Sequence, residues 1–275
     1  MTEHAARGPR LSVQLYSVRD QLAADLDGTL ARLAALGIDA VEPYTVFDRP
    51  DELAAALARH GLAAPTAHAP LLSDEIEYQG HLVPLPPPAI TFAAVRAVGA
   101  HVVFDPMTSP QRWRTPADVA ATAARLNAAA ETAAGFGLRV GHHNHSFEFH
   151  QRFDDVSAYE YFVSLLDESV LLEVDLYWAA LAGQDLPALL QRLGSRVHAV
   201  HVKDGSVVAD PFVSAASYDA ALLGQRPVGA GELGVAAALD VAGNVPLHVI
   251  EFDHAADPLT AIGESVRYLR ERAMP

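Results

Sequence analysis

Several short apolar runs in this chain end in residues that ligate cations or move protons. GHHNH ends at His145, with Glu148 just beyond it. EVD supplies Glu173 and Asp175, HVKD supplies His201, Lys203 and Asp204, and IEFD supplies Glu251 and Asp253. Earlier in the chain, QLY carries Gln14 and Tyr16, VEPY carries Glu42 and TAH ends at His68. A strand end needs only a turn residue, so ionisable residues repeated at these ends point to a site rather than to packing. Imidazole and carboxylate together suit Mn²⁺, Mg²⁺, Co²⁺ or Zn²⁺. Crowded at close range without a cation, such groups repel one another or lose hydration at a cost.

Side chains alternate along a strand, which sorts these residues by face. Val200 and Val202 suit an outer, packed face, so His201 and Lys203 turn inward. Leu172, Val174 and Leu176 likewise turn Glu173 and Asp175 inward, and Ile250 and Phe252 turn Glu251 and Asp253 inward. Asp175, His201 and Glu251 thus aim at one point, a candidate seat for one divalent metal ion; the competing reading is a metal-free ionic network. Val140 and Gly141 put His143 and His145 inward together, and one of the two is expected to supply a fourth ligand.

The other candidates each have a plainer reading beside the functional one. Glu148 is a site acid or base, or a surface carboxylate. His68 lines the site or is a hydrogen-bonded core histidine. Gln14, Tyr16 and Glu42 are candidate pocket residues, and Trp178 is a pocket wall or core packing. His198 and His248 fall on the outward side and read as structural. A buried Lys203 needs an anion, either substrate oxygens or Glu173.

The elements that must carry these residues alternate in a regular way. Strand-like runs cover 11–16, 38–44, 62–68, 101–105, 138–145, 170–175, 197–203 and 245–252. Helix-like stretches follow them at 21–36, 50–60, 89–98, 116–136, 156–166, 186–193, 232–241 and 258–272, many closed by glycine. A Pro-rich loop spans 69–88, and a further loop of some 25 residues follows Lys203. Eight strand–helix units in about 250 residues predict a (β/α)8 TIM barrel, an α/β fold in one domain, with chemistry at the C-terminal strand ends. No Gly-rich dinucleotide fingerprint follows the first run. Residues 1–10 read as a flexible N-terminal tail and 11–275 as the barrel.

Composition narrows the function classes. The chain has 275 residues, 13 histidines, no cysteine and a formal charge of −15. Absence of cysteine removes disulfides, zinc–thiolate sites and thiol nucleophiles, and fits a cytoplasmic protein. The negative charge argues against a nucleic-acid or anionic-membrane partner. No stretch approaches the roughly 18 apolar residues of a membrane span, and MTEHAARGPR lacks the apolar run of a secretory signal. A homo-oligomer is compatible with the sequence.

At QLYSVRD (14–20), GHHNHSFEF (141–149), EVDLYWAALAG (173–183), VHVKD (200–204, with His198 and Ala199 before it) and VIEFD (249–253), the chain resembles the sugar phosphate isomerase/epimerase superfamily of xylose isomerase-like barrels. That resemblance implies a divalent metal at the barrel mouth, with Asp175, His201 and Glu251 as three ligands. Many members place a glutamate on the fifth strand; here the matching stretch carries His143 in an HNH motif, His143-Asn144-His145. The implied activity is isomerisation or epimerisation of a sugar or keto-sugar through an enediolate, with elimination, as in inosose dehydratases and 3-keto-glycoside eliminases, as the alternative. Glu251, Glu148, Lys203 and His145 are the expected catalytic residues, and a neutral carbohydrate or cyclitol is the expected substrate. Apurinic endonucleases share this barrel, but they need a basic DNA-facing surface. A sugar-binding protein without catalysis is the remaining alternative.

Overall fold

The computed structural model describes residues 9–44, 46–78, 81–213 and 218–273. Eight strands form one parallel sheet: β1 (Arg10–Gln14), β2 (Ala40–Glu42), β3 (Thr66–His68), β4 (Val102–Asp105), β5 (Arg139–His143), β6 (Leu171–Asp175), β7 (Val197–Val202) and β8 (Leu247–Ile250). The spatial order β2-β1-β8-β7-β6-β5-β4-β3 runs round the sheet in chain sequence. The seam between β2 and β3 is bridged by the chain ahead of β3. Val41 N donates to Ala63 O (2.8 Å), Ala63 N to Asp39 O (3.0 Å) and His68 N to Pro43 O (2.8 Å). The result is the expected TIM barrel, with helices packed outside it.

Local chemistry explains where the elements stop. Asp25 breaks the long helix expected over 21–36 into Arg19–Ala24 and Leu26–Ala35, because its carboxylate caps the second piece by accepting from Gly28 N at 2.9 Å. The long helix Pro116–Ala134 opens with a full capping box between Thr115 and Asp118. Gly37 (φ +80°) and Gly99 (φ +89°) take the left-handed conformation that lets the chain leave a helix and enter the next strand. The stretch expected as a loop over 69–88 contains an antiparallel hairpin, Glu75–Tyr78 with His81–Pro84. Arg10 already belongs to β1 and its guanidinium bonds Asp39, so the barrel starts one residue earlier than expected; residues 1–8 of the expected tail lie outside the described residues.

Two apolar layers result from strand alternation. The larger lies between strands and helices and takes in Val13, Val41, Val103, Val140, Leu172, Val174, Val200, Val202, Ile250 and Phe252. The smaller fills the barrel floor: Val102, Phe104, Leu171, Ala199, Leu247 and Val249. The Phe104 ring fits there because β5 presents Gly141 to it; a Cβ on Gly141 would stand 2.4 Å from two ring carbons. His198 departs from the expected outward face. A register shift places Leu172 against Val197 but Glu173 against Ala199, leaving His198 as the extra residue, its ring centroid 6.5 Å from that of Phe104. His248 keeps its expected structural role, with Nε2 3.2 Å from Ala242 O. Among the described residues no helix is long and apolar enough to cross a membrane.

Candidate metal centre and active site

Above the apolar floor the lumen changes character abruptly. Glu42, His68, His143, Glu173, Asp175, His201, Lys203 and Glu251 all converge there, and all are buried. On the sixth, seventh and eighth strands they follow a floor residue at intervals of two, which is why alternation delivers them together. Leu171 is followed by Glu173 and Asp175, Ala199 by His201 and Lys203, and Val249 by Glu251 and Asp253.

The cluster has two storeys. In the lower one, Glu173 Oε2 lies 2.5 Å from His68 Nε2, 3.2 Å from His143 Nδ1 and 3.1 Å from His201 Nε2. Glu42 Oε1 joins it, 2.8 Å from His201 Nε2 and 3.1 Å from His68 Nε2, and it accepts from Gln14 Nε2 at 2.9 Å. In the upper storey, Glu251 Oε2 lies 2.6 Å from His201 Nδ1. Asp175 Oδ2 lies 3.8 Å from His143 Nε2 and 3.9 Å from His201 Nδ1. The Lys203 ammonium sits among three carboxylates: Glu251 at 2.7 Å, Asp175 at 3.0 Å and Asp253 at 3.0 Å. Gln225 steadies Asp253, donating to Oδ2 at 2.6 Å and accepting from its backbone N at 2.8 Å.

Among the described residues, two sets of ligand atoms are compact enough to enclose one ion, each within 4.8 Å: His143, Asp175, His201 and Glu251 above, and His68, His143, Glu173 and His201 below. Both are made of imidazole and carboxylate, a donor set that suits a divalent transition metal. In the upper set the buried Asp175 Oδ2 accepts no well-aligned hydrogen bond and has the Lys203 ammonium 3.0 Å away. Burial pushes the Asp175 carboxyl up to about 6 against the pull of Lys203 and His201, a cost that a cation would remove. Burial drives His143 down to about 3, so its ring is neutral and free to ligate. For Lys203, burial works against the charge, but the three carboxylates outweigh it and hold the ammonium charged. For Glu173, burial works against ionisation, and His201 and His68 outweigh it.

The sequence matches the model of the xylose isomerase-like TIM barrel family over residues 30–272. The chain belongs to the xylose isomerase-like TIM barrel family. No curated protein matches it. Among solved structures it is similar to a sugar phosphate isomerase/epimerase from Parabacteroides distasonis, with 17% identity, TM-score 0.74, and coverage of 99% of this chain and 97% of that one. It is similar to a probable 3-DHS dehydratase from Bacillus anthracis, with 12% identity, TM-score 0.70, and coverage of 96% and 99%. It is also similar to the IOLI protein, whose structure holds a zinc atom, with 16% identity, TM-score 0.68, and coverage of 95% and 97%.

This xylose isomerase-like barrel brings most of the residues singled out by sequence to its lumen, though not all in the expected way. His143, Asp175, His201 and Glu251 form the upper set. Gln14, Glu42 and His68 line the lower storey. Lys203 pairs with Asp175, Glu251 and Asp253; its expected partner Glu173 instead engages the three imidazoles. His145 lies beside the site, its ring 5.2 Å from His143 and 5.4 Å from Trp178, with Nδ1 buried and unpartnered. Burial, then His143 and Lys203, push its pKa far below the usual range, so it is neutral. Trp178 is fully buried in an aromatic wall with His145 and Phe212, and its backbone N donates to Asp175 Oδ1 at 2.9 Å.

Two placements differ. Glu148 is neither a surface residue nor turned toward the lumen. The chain after β5 turns into the short helix Phe147–His150, which carries Glu148 behind the strand. There one oxygen accepts from His145 N and the other lies 3.4 Å from His142 Nε2. Tyr16 is exposed at the rim, where its ring meets Tyr44 edge-on and carries the Arg19 guanidinium at 4.2 Å. Sequence reasoning missed Phe212 and Tyr218. They lie on the long loop after β7, stacked at 5.8 Å, and no periodicity marks them. Tyr218 is an exposed residue whose hydroxyl pKa is raised by burial of that group and then by Asp253.

Proposed function

We propose that the chain is a divalent-metal-dependent isomerase or epimerase of a sugar or keto-sugar, acting at the barrel mouth. The observation that carries this reading is the imbalance of charge between the storeys. Below, Glu173 and Glu42 face His68, whose pKa the two carboxylates raise against burial, while burial and then Glu173 raise the pKa of Glu42, so the lower storey holds little net charge with His143 and His201 as neutral ligands. Above, Asp175, Glu251 and Asp253 share one ammonium, Lys203, and with His143 and His201 as neutral ligands the excess is about two negative charges, which one divalent cation would neutralise.

His143, Asp175, His201 and Glu251 would hold the ion. When bound, it supplies Lewis acidity toward a carbonyl and an adjacent hydroxyl of the substrate. Glu251 is the less buried of the two carboxylates in this set and accepts the proton from the carbon next to the carbonyl. Lys203 offers its ammonium to the enediolate oxygen that develops there. The neutral His145, with a free Nδ1, exchanges a proton with a substrate hydroxyl. Return of the proton to the opposite face gives an epimer, and return to the neighbouring carbon gives an isomer. A lyase of the same barrel family is the alternative: departure of a β-hydroxyl or glycosyl group needs a proton at the leaving oxygen, which His145 can return after first accepting it from a substrate hydroxyl at Nδ1. Glu148, turned behind β5, takes no part as a base.

A neutral sugar, keto-sugar or cyclitol fits an aromatic wall of Trp178, Phe212 and Tyr218 with no arginine in the lumen among the described residues. Soluble, cytoplasmic action on a small molecule, without nucleic acid or membrane, goes with this reading. Elemental analysis of protein purified without chelator tests it. About one divalent ion per chain is expected, lost in the Asp175→Ala, His201→Ala double variant; unchanged metal in that variant would overturn the assignment.

A further inference from the structure

Three imidazoles meet on one carboxylate oxygen, Glu173 Oε2, and two of those rings also belong to the upper ligand set. Each shared ring uses opposite nitrogens for the two jobs. His143 gives Nδ1 to Glu173 and Nε2 to the upper set; His201 gives Nε2 to Glu173 and Glu42 and Nδ1 to the upper set. A neutral imidazole has one N–H and one lone pair, so the nitrogen that donates settles which nitrogen ligates. The two compact sets are therefore rivals for the same rings. Filling both would require each ring to lose its last N–H proton.

Position decides between them. The lower storey rests on the apolar floor of Phe104, Leu171, Ala199 and Val249, and Glu173 and Glu42 are fully buried. The upper set lies two residues further along β6 and past the end of β8, toward the mouth where a substrate enters. We propose that Glu173 is a positioning residue: it accepts Nδ1–H of His143 at 3.2 Å and stands 3.1 Å from His201 Nε2, whose hydrogen-bond acceptor is Glu42 at 2.8 Å, and so commits His143 Nε2 and, together with Glu42, His201 Nδ1 to a single cation in the upper set. Carboxylates that accept the second N–H of a ligating histidine orient the ring and raise its basicity. This inference rests on the reading of the upper set as the cation's seat. Glu42 assists at His201, and His68 bridges the two carboxylates, 3.1 Å from Glu42 and 2.5 Å from Glu173.

The test is a Mn²⁺ titration of wild type, Glu173→Gln and Glu173→Leu, read together with ¹⁵N NMR of the histidine rings in metal-free protein. The expected result is one Mn²⁺ per chain in all three, with affinity lower by about 10–100-fold in Glu173→Gln and by at least as much in Glu173→Leu. Metal-free wild type should carry its His143 proton on Nδ1, and Glu173→Leu should move that proton to Nε2. Glu173→Gln keeps shape and serves if the leucine variant does not fold. Affinity within twofold of wild type in a folded variant would overturn the proposal. So would two Mn²⁺ per wild-type chain with one lost in Glu173→Gln, because Glu173 would then be a ligand. If wild type takes up no Mn²⁺, the metal reading fails by itself. The His143 proton on Nδ1 would still support the positioning role, and on Nε2 would refute it.

Discussion

The Lys203 ammonium lies 3.0 Å from Asp175 Oδ2 and 2.7 Å from Glu251 Oε2, in contact with two residues of the proposed metal set at once. A lysine held this way is the counter-charge of the site as well as a part of it. Replacing it with methionine strands three carboxylates in a buried place. Lys203→Met should therefore destabilise the metal-free protein by about 3–5 kcal/mol. Divalent metal should restore more stability to this variant than it adds to wild type. Thermal unfolding with and without metal measures both; equal metal-induced shifts in the two proteins would contradict the paired role.

His142 gives a pH signature away from the metal set. It faces outward from β5 into a nest of Trp113, Tyr159 and Phe162, and burial lowers its pKa to about 3. A folded pKa below the unfolded one of about 6.5 favours folding above that value, and the advantage is lost as pH falls from about 6.5 toward about 3. The full span corresponds to as much as ~5 kcal/mol. His142→Phe should flatten this part of the stability profile. Denaturant unfolding at pH 7, 5 and 4 checks it, and parallel profiles for variant and wild type would count against a neutral buried His142.

Gly141 should tolerate no side chain. Its Cβ would meet the Phe104 ring at 2.4 Å and the Leu171 carbonyl oxygen at 2.8 Å, and the second is backbone that cannot swing aside. Gly141→Ala is expected to cost about 1–3 kcal/mol by overpacking. A companion Phe104→Leu change should recover part of it. Additive losses in the double variant, measured by urea unfolding, would show that the two sites do not share the strain.

Much of this site was legible because the strands alternate strictly. Val200, Val202, Ile250 and Phe252 needed an apolar partner outside, and that alone turned His201, Lys203 and Glu251 inward. Where alternation lapses, so does legibility. The bulge at His198 resets its direction, and the turn after His145 carries Glu148 behind the strand. Glu173 was visibly inward, but spacing along one strand cannot reveal that imidazoles from β3, β5 and β7 meet on it. Phe212, Tyr218 and Gln225 come from a loop whose course depends on tertiary contacts, such as Asp204 accepting from Gly229 N and Gly231 N.

The Phe212 ring stands 5.4 Å from Trp178 and 5.9 Å from His145, closing the aromatic wall from the loop side. Phe212→Ala should raise KM for an active carbohydrate by about tenfold, in keeping with ~1–2 kcal/mol of lost aromatic contact, and leave kcat within a few-fold. A fall in kcat with KM unchanged would instead place Phe212 in the chemistry.

The most direct measurement is hydrogen isotope exchange in D₂O, run with metal-loaded protein against a panel of keto-sugars and inososes. Deuterium should enter the carbon next to the carbonyl of at least one of them, and the exchange should disappear with chelator and in Glu251→Gln. Absence of exchange across the whole panel, with the metal bound, would contradict proton abstraction at this barrel mouth.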